Sequence, residues 1–302
     1  MRSNQWNKKN TIILSLILFL TVSWGYSWPL MKIGLQYMGP FTFSFLRFLT
    51  GGAVLLTGLW LFRKKKTPLS SVPWKQVCLL GFLQTFAVFG LITYAMLFVE
   101  AGKTSIILYT MPIWSSILAA IFLNETLTKQ NVIGLLFGLC GLSLIVGADV
   151  YQHPSLDHLT GIAFILLGSL AWAAANIYFR LKLAGTDSFE VTAYQMLIGT
   201  IGLGVLAFLM ERGDPVTWTA ESIFSVLFTG IAASAICFSI WYFLLRVIHT
   251  ITAAISTLLV PVFGVIFGYL LLQETLTTFM LGGAAFILIG IFISQTAYHK
   301  RK

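Results

Sequence analysis

The chain has 302 residues, 58% of them hydrophobic and only 10% charged, whereas a soluble domain carries roughly 25% charged residues. This balance excludes water as the main solvent. The net charge of +9 therefore has to be read first as a feature of a membrane protein and only then as a surface for polyanions.

Apolar runs of about 20 residues cross a bilayer as helices. Ten such runs follow one another near 11–31, 41–62, 76–98, 104–123, 129–149, 159–180, 189–210, 222–246, 250–272 and 277–297. Their length and the lack of strict polar/apolar alternation favour helices over a barrel. The first run is too long for a signal peptide, and Trp-Gly-Tyr-Ser-Trp-Pro at 24–29 offers no small-residue cleavage site. The expected class is an all-α polytopic membrane protein with ten transmembrane helices. Residues 1–10, 150–158 and 298–302 fall outside them as an N-terminal segment, an outer connecting loop and a basic tail. With the N-terminus in the cytoplasm, 15 of the 19 basic residues lie on the inner side, while Lys32, Lys103 and Arg212 lie outside and Arg47 lies within a span. That bias predicts a multi-pass cell-membrane protein with both termini cytoplasmic. The basic residues form no groove-sized patch and their one run, 63–66, is short, so no nucleic-acid partner is expected.

Glu-Thr-Leu-Thr occurs at 125–128 and again at 274–277. A shift of 149 also pairs Gly81 with Gly230, Phe89 with Phe238, Pro112 with Pro261, Gly134 with Gly283 and Gly141 with Gly290; earlier in each half a shift of 148 pairs Trp24 with Trp172 and Lys32 with Arg180. The copy covers five runs against five, at 11–149 and 159–297. Five is odd, so the second half enters the membrane from the opposite side, as an inverted repeat of the kind that builds transporters. The stretch from Trp24 and Gly25 through Pro29, Lys32 and Pro40 to Arg47, the paired prolines and the two Glu-Thr-Leu-Thr turns resemble the EamA-like family of the drug/metabolite transporter superfamily. The resemblance covers about residues 11–297. It implies a ten-helix transporter of small metabolites, frequently an amino-acid exporter, with a central cavity between the halves.

Candidate site residues follow from depth and type. Arg47 lies seven residues after Pro40, so roughly 10 Å along its helix. An ionisable group at such depth is costly and points to function; it suits a substrate carboxylate or, alternatively, carbonyls of a loosened first helix. Trp24, Tyr94, Tyr109, Trp114, Trp172, Asn176 and Trp241 lie deep enough to border a cavity, with interfacial belts as the competing explanation for the aromatics. Pro112 and Pro261 fall near mid-helix, where proline removes a backbone bond and bends the axis, and so form a candidate hinge pair. Glu125 and Glu274 read as structural turn residues, beside threonines that can cap the next helix. Lys32 and Arg180, each at a helix end, are expected to snorkel to the interface.

Cys78, Cys140 and Cys237 stand singly, with neither metal nor disulfide spacing. No cofactor, metal or catalytic constellation is expected, since His153, Asp157 and His158 fall in a loop. The first run has no carboxylate, unlike the small multidrug exporters of the same superfamily, which disfavours antiport of cationic drugs. The expected partners are a small-molecule solute and the lipid bilayer, as a monomer or weak homodimer. A multidrug, nucleobase or sugar transporter, and a non-transporting scaffold or sensor, stand as alternative readings.

Overall fold

A computed structural model of the chain describes residues 2–62, 71–152, 155–250, 253 and 256–299. The basic run at 63–66, His153 and residues 300–302 lie outside them. Ten helical runs are described: α1 Arg2–Gly34, α2 Pro40–Phe62, α3 Trp74–Ala95, α4 Ala101–Phe122, α5 Lys129–Gln152, α6 Leu156–Lys182, α7 Ser188–Met210, α8 Ala220–Val247, α9 Val260–Leu272 and α10 Thr278–His299. Among the described residues, seven are long and apolar enough to cross a membrane, and those of α5, α9 and α10 form shorter apolar helices.

Two counterpart pairs from the two halves, α2 with α7 and α5 with α10, lie against each other and run antiparallel. In α2 and α7, Gly204 meets Phe45 and Gly52 meets Leu197, so ascending numbers in one face descending numbers in the other. In α5 and α10 a Cβ on Gly141 would strike the carbonyl of Gly283, and one on Gly290 that of Gly134. The glycine strip thus joins helices within one chain through close backbone approach, as small residues do in lipid.

Two interruptions recur at matching positions. Phe82–Ala87 in α3 and Phe228–Ile236 in α8 are wound as π-helix, a form that gathers at functional sites. The helix of α4 stops at Leu108 and restarts at Met111, and before α9 a 3-10 turn, Thr257–Leu259, leads into Val260. Pro112 and Pro261 occupy the first turn of the restarted segments, where a missing N–H costs nothing. The mid-helix bend expected from these prolines is in fact a break followed by a proline start.

Polar side chains tie the halves together in a crossed pattern. The Glu274 carboxylate accepts from the amides of Ala101 (2.8 Å) and Gly102 (2.9 Å) at the start of α4, and Glu125 accepts from the Thr250 amide (3.2 Å). Each glutamate therefore caps a segment of the opposite half, where a negative charge meets the positive end of a helix. The neighbouring threonines cap their own next helices as expected, Thr128 accepting from the Asn131 amide and Thr277 from the Met280 amide. Lys32 and Arg180, near the ends of α1 and α6, each take up the carbonyl end of a neighbouring helix. Lys32 donates to the carbonyls of Met96 and Val99 at the end of α3, and Arg180 to those of Leu245 and Ile248 at the end of α8.

Burial raises the Glu274 carboxyl above its ordinary 4.5, while the Gly102 and Ala101 amides pull it down, Glu100 adds to the rise and Lys32 opposes it. An acid with a raised pKa in the folded state keeps its proton longer there than in the unfolded chain, so folded stability falls as pH climbs from 4.5 through the raised value. Glu274→Gln, which cannot ionise, is expected to gain stability relative to wild type across that range in thermal unfolding in detergent. A flat difference would mean that the amides balance burial, and a falling one that they outweigh it.

Candidate functional site

The helices α1, α2, α3, α4, α6 and α8 converge on a chamber between the halves, lined by Trp24, Ser27, Trp28, Met31, Arg47, Phe89, Leu108, Tyr109, Trp172 and Phe238. Its free space is about 20 Å³. One water needs roughly 10–15 Å³ and a small-molecule pocket about 300 Å³ or more, so the chamber is closed down in this conformation. The aromatic walls come from both repeats: Trp24 meets its counterpart Trp172 edge-on at 5.4 Å and Phe238 at 5.5 Å, and Tyr109 meets Trp172 at 6.0 Å.

Arg47 is 2% exposed. Its Nε donates to Ser234 Oγ at 2.8 Å and Nη1 to Met31 Sδ at 3.0 Å, and the guanidinium lies 4.4 Å from the Phe89 ring centre and 4.9 Å from that of Phe48. It rests on a hydroxyl, a thioether and ring faces, and not on the carbonyls of the first helix. Among the described residues no carboxylate pairs with it. A buried cation without a counter-ion is expensive, and here it faces a cavity.

The π-helix of α8 builds this seat. Ser234 donates to the Thr229 carbonyl at 2.7 Å, five residues back, which leaves its oxygen free to accept from Arg47. Gly230 lets the Arg47 carbonyl approach where a Cβ would collide, as Gly81 does for Gln195. The symmetry-related pair is Thr85 donating to Gln195 Oε1 at 2.7 Å. The framework is thus duplicated, and the charge is not.

Three further polar atoms in the chamber wall are buried without a hydrogen-bond partner: Trp28 Nε1, Trp172 Nε1 and Tyr109 Oη. Two are donors only and the third can donate. Trp24, by contrast, is satisfied by the Ala233 carbonyl at 2.8 Å.

A sequence model described as "EamA-like transporter family" matches residues 11–147 and again residues 159–296. The chain belongs to the EamA-like transporter family. It is 32% identical over 95% of its length to a Bacillus subtilis protein called "Uncharacterized transporter YoaV", 97% of which is covered. It is 27% identical to a Salmonella typhimurium protein called "Probable amino-acid metabolite efflux pump", over 95% of this chain and 96% of that one. A solved structure titled "Crystal structure of protein" shares the fold at a TM-score of 0.76 and 17% identity, covering 97% of this chain and 99% of that one.

In this EamA-like chain, the residues expected at the site separate into three groups. Trp24, Arg47, Tyr109 and Trp172 line the chamber. Asn176 and Trp241 stand behind it as a bonded pair: Trp241 Nε1 donates to Asn176 Oδ1 at 2.9 Å, and Trp241 packs 5.8 Å from Trp24. Tyr94 lies elsewhere, stacked on Phe41 at 5.7 Å beside a lateral apolar groove of about 240 Å³, and Trp114 is 37% exposed on the outside of the bundle. His158 is buried, with Nδ1 3.1 Å from the Phe98 carbonyl, and among the described residues no cluster of three or more His, Cys, Asp and Glu could hold a metal. Trp28, Phe89, Phe238 and Ser234 complete the site beyond the sequence-based set. The Phe89/Phe238 repeat pair and the four-residue spacing of Trp28 from Trp24 were the available signals; Ser234 has none without the π-turn.

Removing the oxygen that accepts from a buried cation leaves the charge under-satisfied, at about 1–3 kcal/mol. Ser234→Ala is therefore expected to lower the unfolding temperature in detergent more than Thr85→Ala, which deprives only a neutral amide. Equal losses would show that the Ser234–Arg47 bond carries no special weight.

Proposed function

We propose that the chain is a ten-span exporter of small metabolites such as amino acids, placed in the plasma membrane with both termini cytoplasmic. Its two inverted five-helix repeats expose one central chamber to either face in turn. The supporting observation is the unpaired Arg47 in a closed chamber walled by aromatic rings from both halves. A solute carboxylate would supply the missing counter-charge through paired hydrogen bonds, and the rings would cover its apolar body. Trp24, Arg47, Tyr109 and Trp172 are the contact residues of this reading, with Asn176 and Trp241 holding the wall behind them. The amino-acid efflux named for the Salmonella relative agrees with that chemistry.

The breaks at Pro112 and Pro261 act as hinges in this scheme. Tyr109 sits in the first break with the chamber on one side and, on the other, a second void of about 20 Å³ against α5 and α10.

Hydrogen bonds to a charged group contribute about 1.5–3 kcal/mol each, so losing the guanidinium should reduce flux roughly 10–100-fold. Export from preloaded proteoliposomes, tested against amino acids, nucleobases and sugars, checks this. Arg47→Gln is expected to insert normally and to lose transport, and unchanged flux in that variant would remove Arg47 from the solute site. No movement of any solute by the wild-type protein would overturn the transporter reading.

A further inference from the structure

We infer that the chamber recognises its solute by the carboxylate and an apolar body and has no counter-charge for an amino group, so its substrate class is hydrophobic monocarboxylates, of which amino acids are one subset. The inference deepens the transporter reading and rests on it for the location of the site.

Arg47, Trp28, Trp172 and Tyr109 all stand in the chamber wall, and the donor atoms of the last three have no other partner. With the chamber closed these atoms are buried, and a carboxylate would meet them as the walls part. An ammonium group finds no carboxylate in the wall: the lining contains no Asp or Glu. Glu100, Glu125, Asp157, Asp187, Glu190, Glu211 and Glu221 lie at helix ends or turns, as does Glu274. The wall's neutral acceptors are the Ser27 hydroxyl, which donates to the Trp24 carbonyl at 2.7 Å and keeps its lone pairs, and the Tyr109 hydroxyl, and neither carries charge. Ring faces can hold a cation, but the guanidinium already occupies the Phe89 face at 4.4 Å and repels a second positive charge in so small a space. An amino group is therefore tolerated beside its own carboxylate and is not read.

The test uses the full-length protein in detergent and three probes that share one ring: phenylalanine, 3-phenylpropionate, which lacks the amine, and 2-phenylethylamine, which lacks the carboxylate. Indole fluorescence reports binding, because Trp24, Trp28 and Trp172 line the site. Phenylalanine and phenylpropionate are expected to bind within about threefold of each other, and phenylethylamine at least about tenfold more weakly, as the loss of one hydrogen bond to a charged group implies. Trp172→Phe keeps the ring and removes one donor, and should weaken both carboxylates together while leaving the amine unchanged. Phenylethylamine binding as well as phenylalanine, or a tenfold loss on removing the amine, overturns the inference. If none of the three binds while adenine or glucose moves in liposomes, the inference falls and the transporter reading stands. If the carboxylates bind as expected and no solute moves, the inference stands and transport is refuted.

Discussion

Each half of the chain supplies the carboxylate that caps a segment of the other. Glu274 ends the second repeat's broken helix and sits on the first amides of α4, while Glu125 ends α4 and bonds to the Thr250 amide. The exchange requires the two broken helices to lie antiparallel, each end of one beside the opposite end of its counterpart. Lys32 and Arg180 reinforce it from the first helix of each repeat, taking up carbonyls where α3 and α8 finish. The contacts of Glu274 and those of Glu125 share no residue, so each end is tied by its own set. Burial pushes the Glu274 carboxyl above its ordinary range, and the amides of Gly102 and Ala101 pull it part of the way back.

Duplication gives the molecule its frame, and departures from duplication give it chemistry. The Arg47–Ser234 and Gln195–Thr85 pairs use equivalent backbone positions, both next to a π-helical turn and a glycine. Only one side carries charge. Trp28 likewise corresponds to Asn176, which binds Trp241 instead of facing the cavity. A strictly symmetric chamber would present two guanidinium groups or none. The actual one has a polar end and apolar walls, which is the arrangement an amphiphilic solute needs.

Much of this was legible in the sequence. The repeated Glu-Thr-Leu-Thr and the paired glycines established two equivalent halves, and the odd number of runs inverted them. Arg47, Trp24, Tyr109 and Trp172 were singled out by depth and type, and all four meet in one place. Other features were hidden for physical reasons. Tyr94 and Trp114 sit at similar depths but on outward helix faces, and mean depth says nothing about which way a side chain points when both faces are apolar. The capping role of the two glutamates crosses more than 120 residues of chain, so no local pattern announces it. The π-turns follow from no single residue; they appear where Gly81 and Gly230 admit a neighbouring carbonyl.

The account stands or falls on whether the two ends open in turn. Leu97 and Thr275 are exposed near the Glu274 contact, and Arg246 and Thr126 are their counterparts near Glu125. Pulsed electron resonance on spin-label pairs at 97/275 and 126/246, in protein whose three cysteines are replaced, measures both openings with and without a transported solute. One distance should lengthen as the other shortens. Two distances that widen together, or that ignore a solute the protein carries, would contradict alternating closure around the shared chamber.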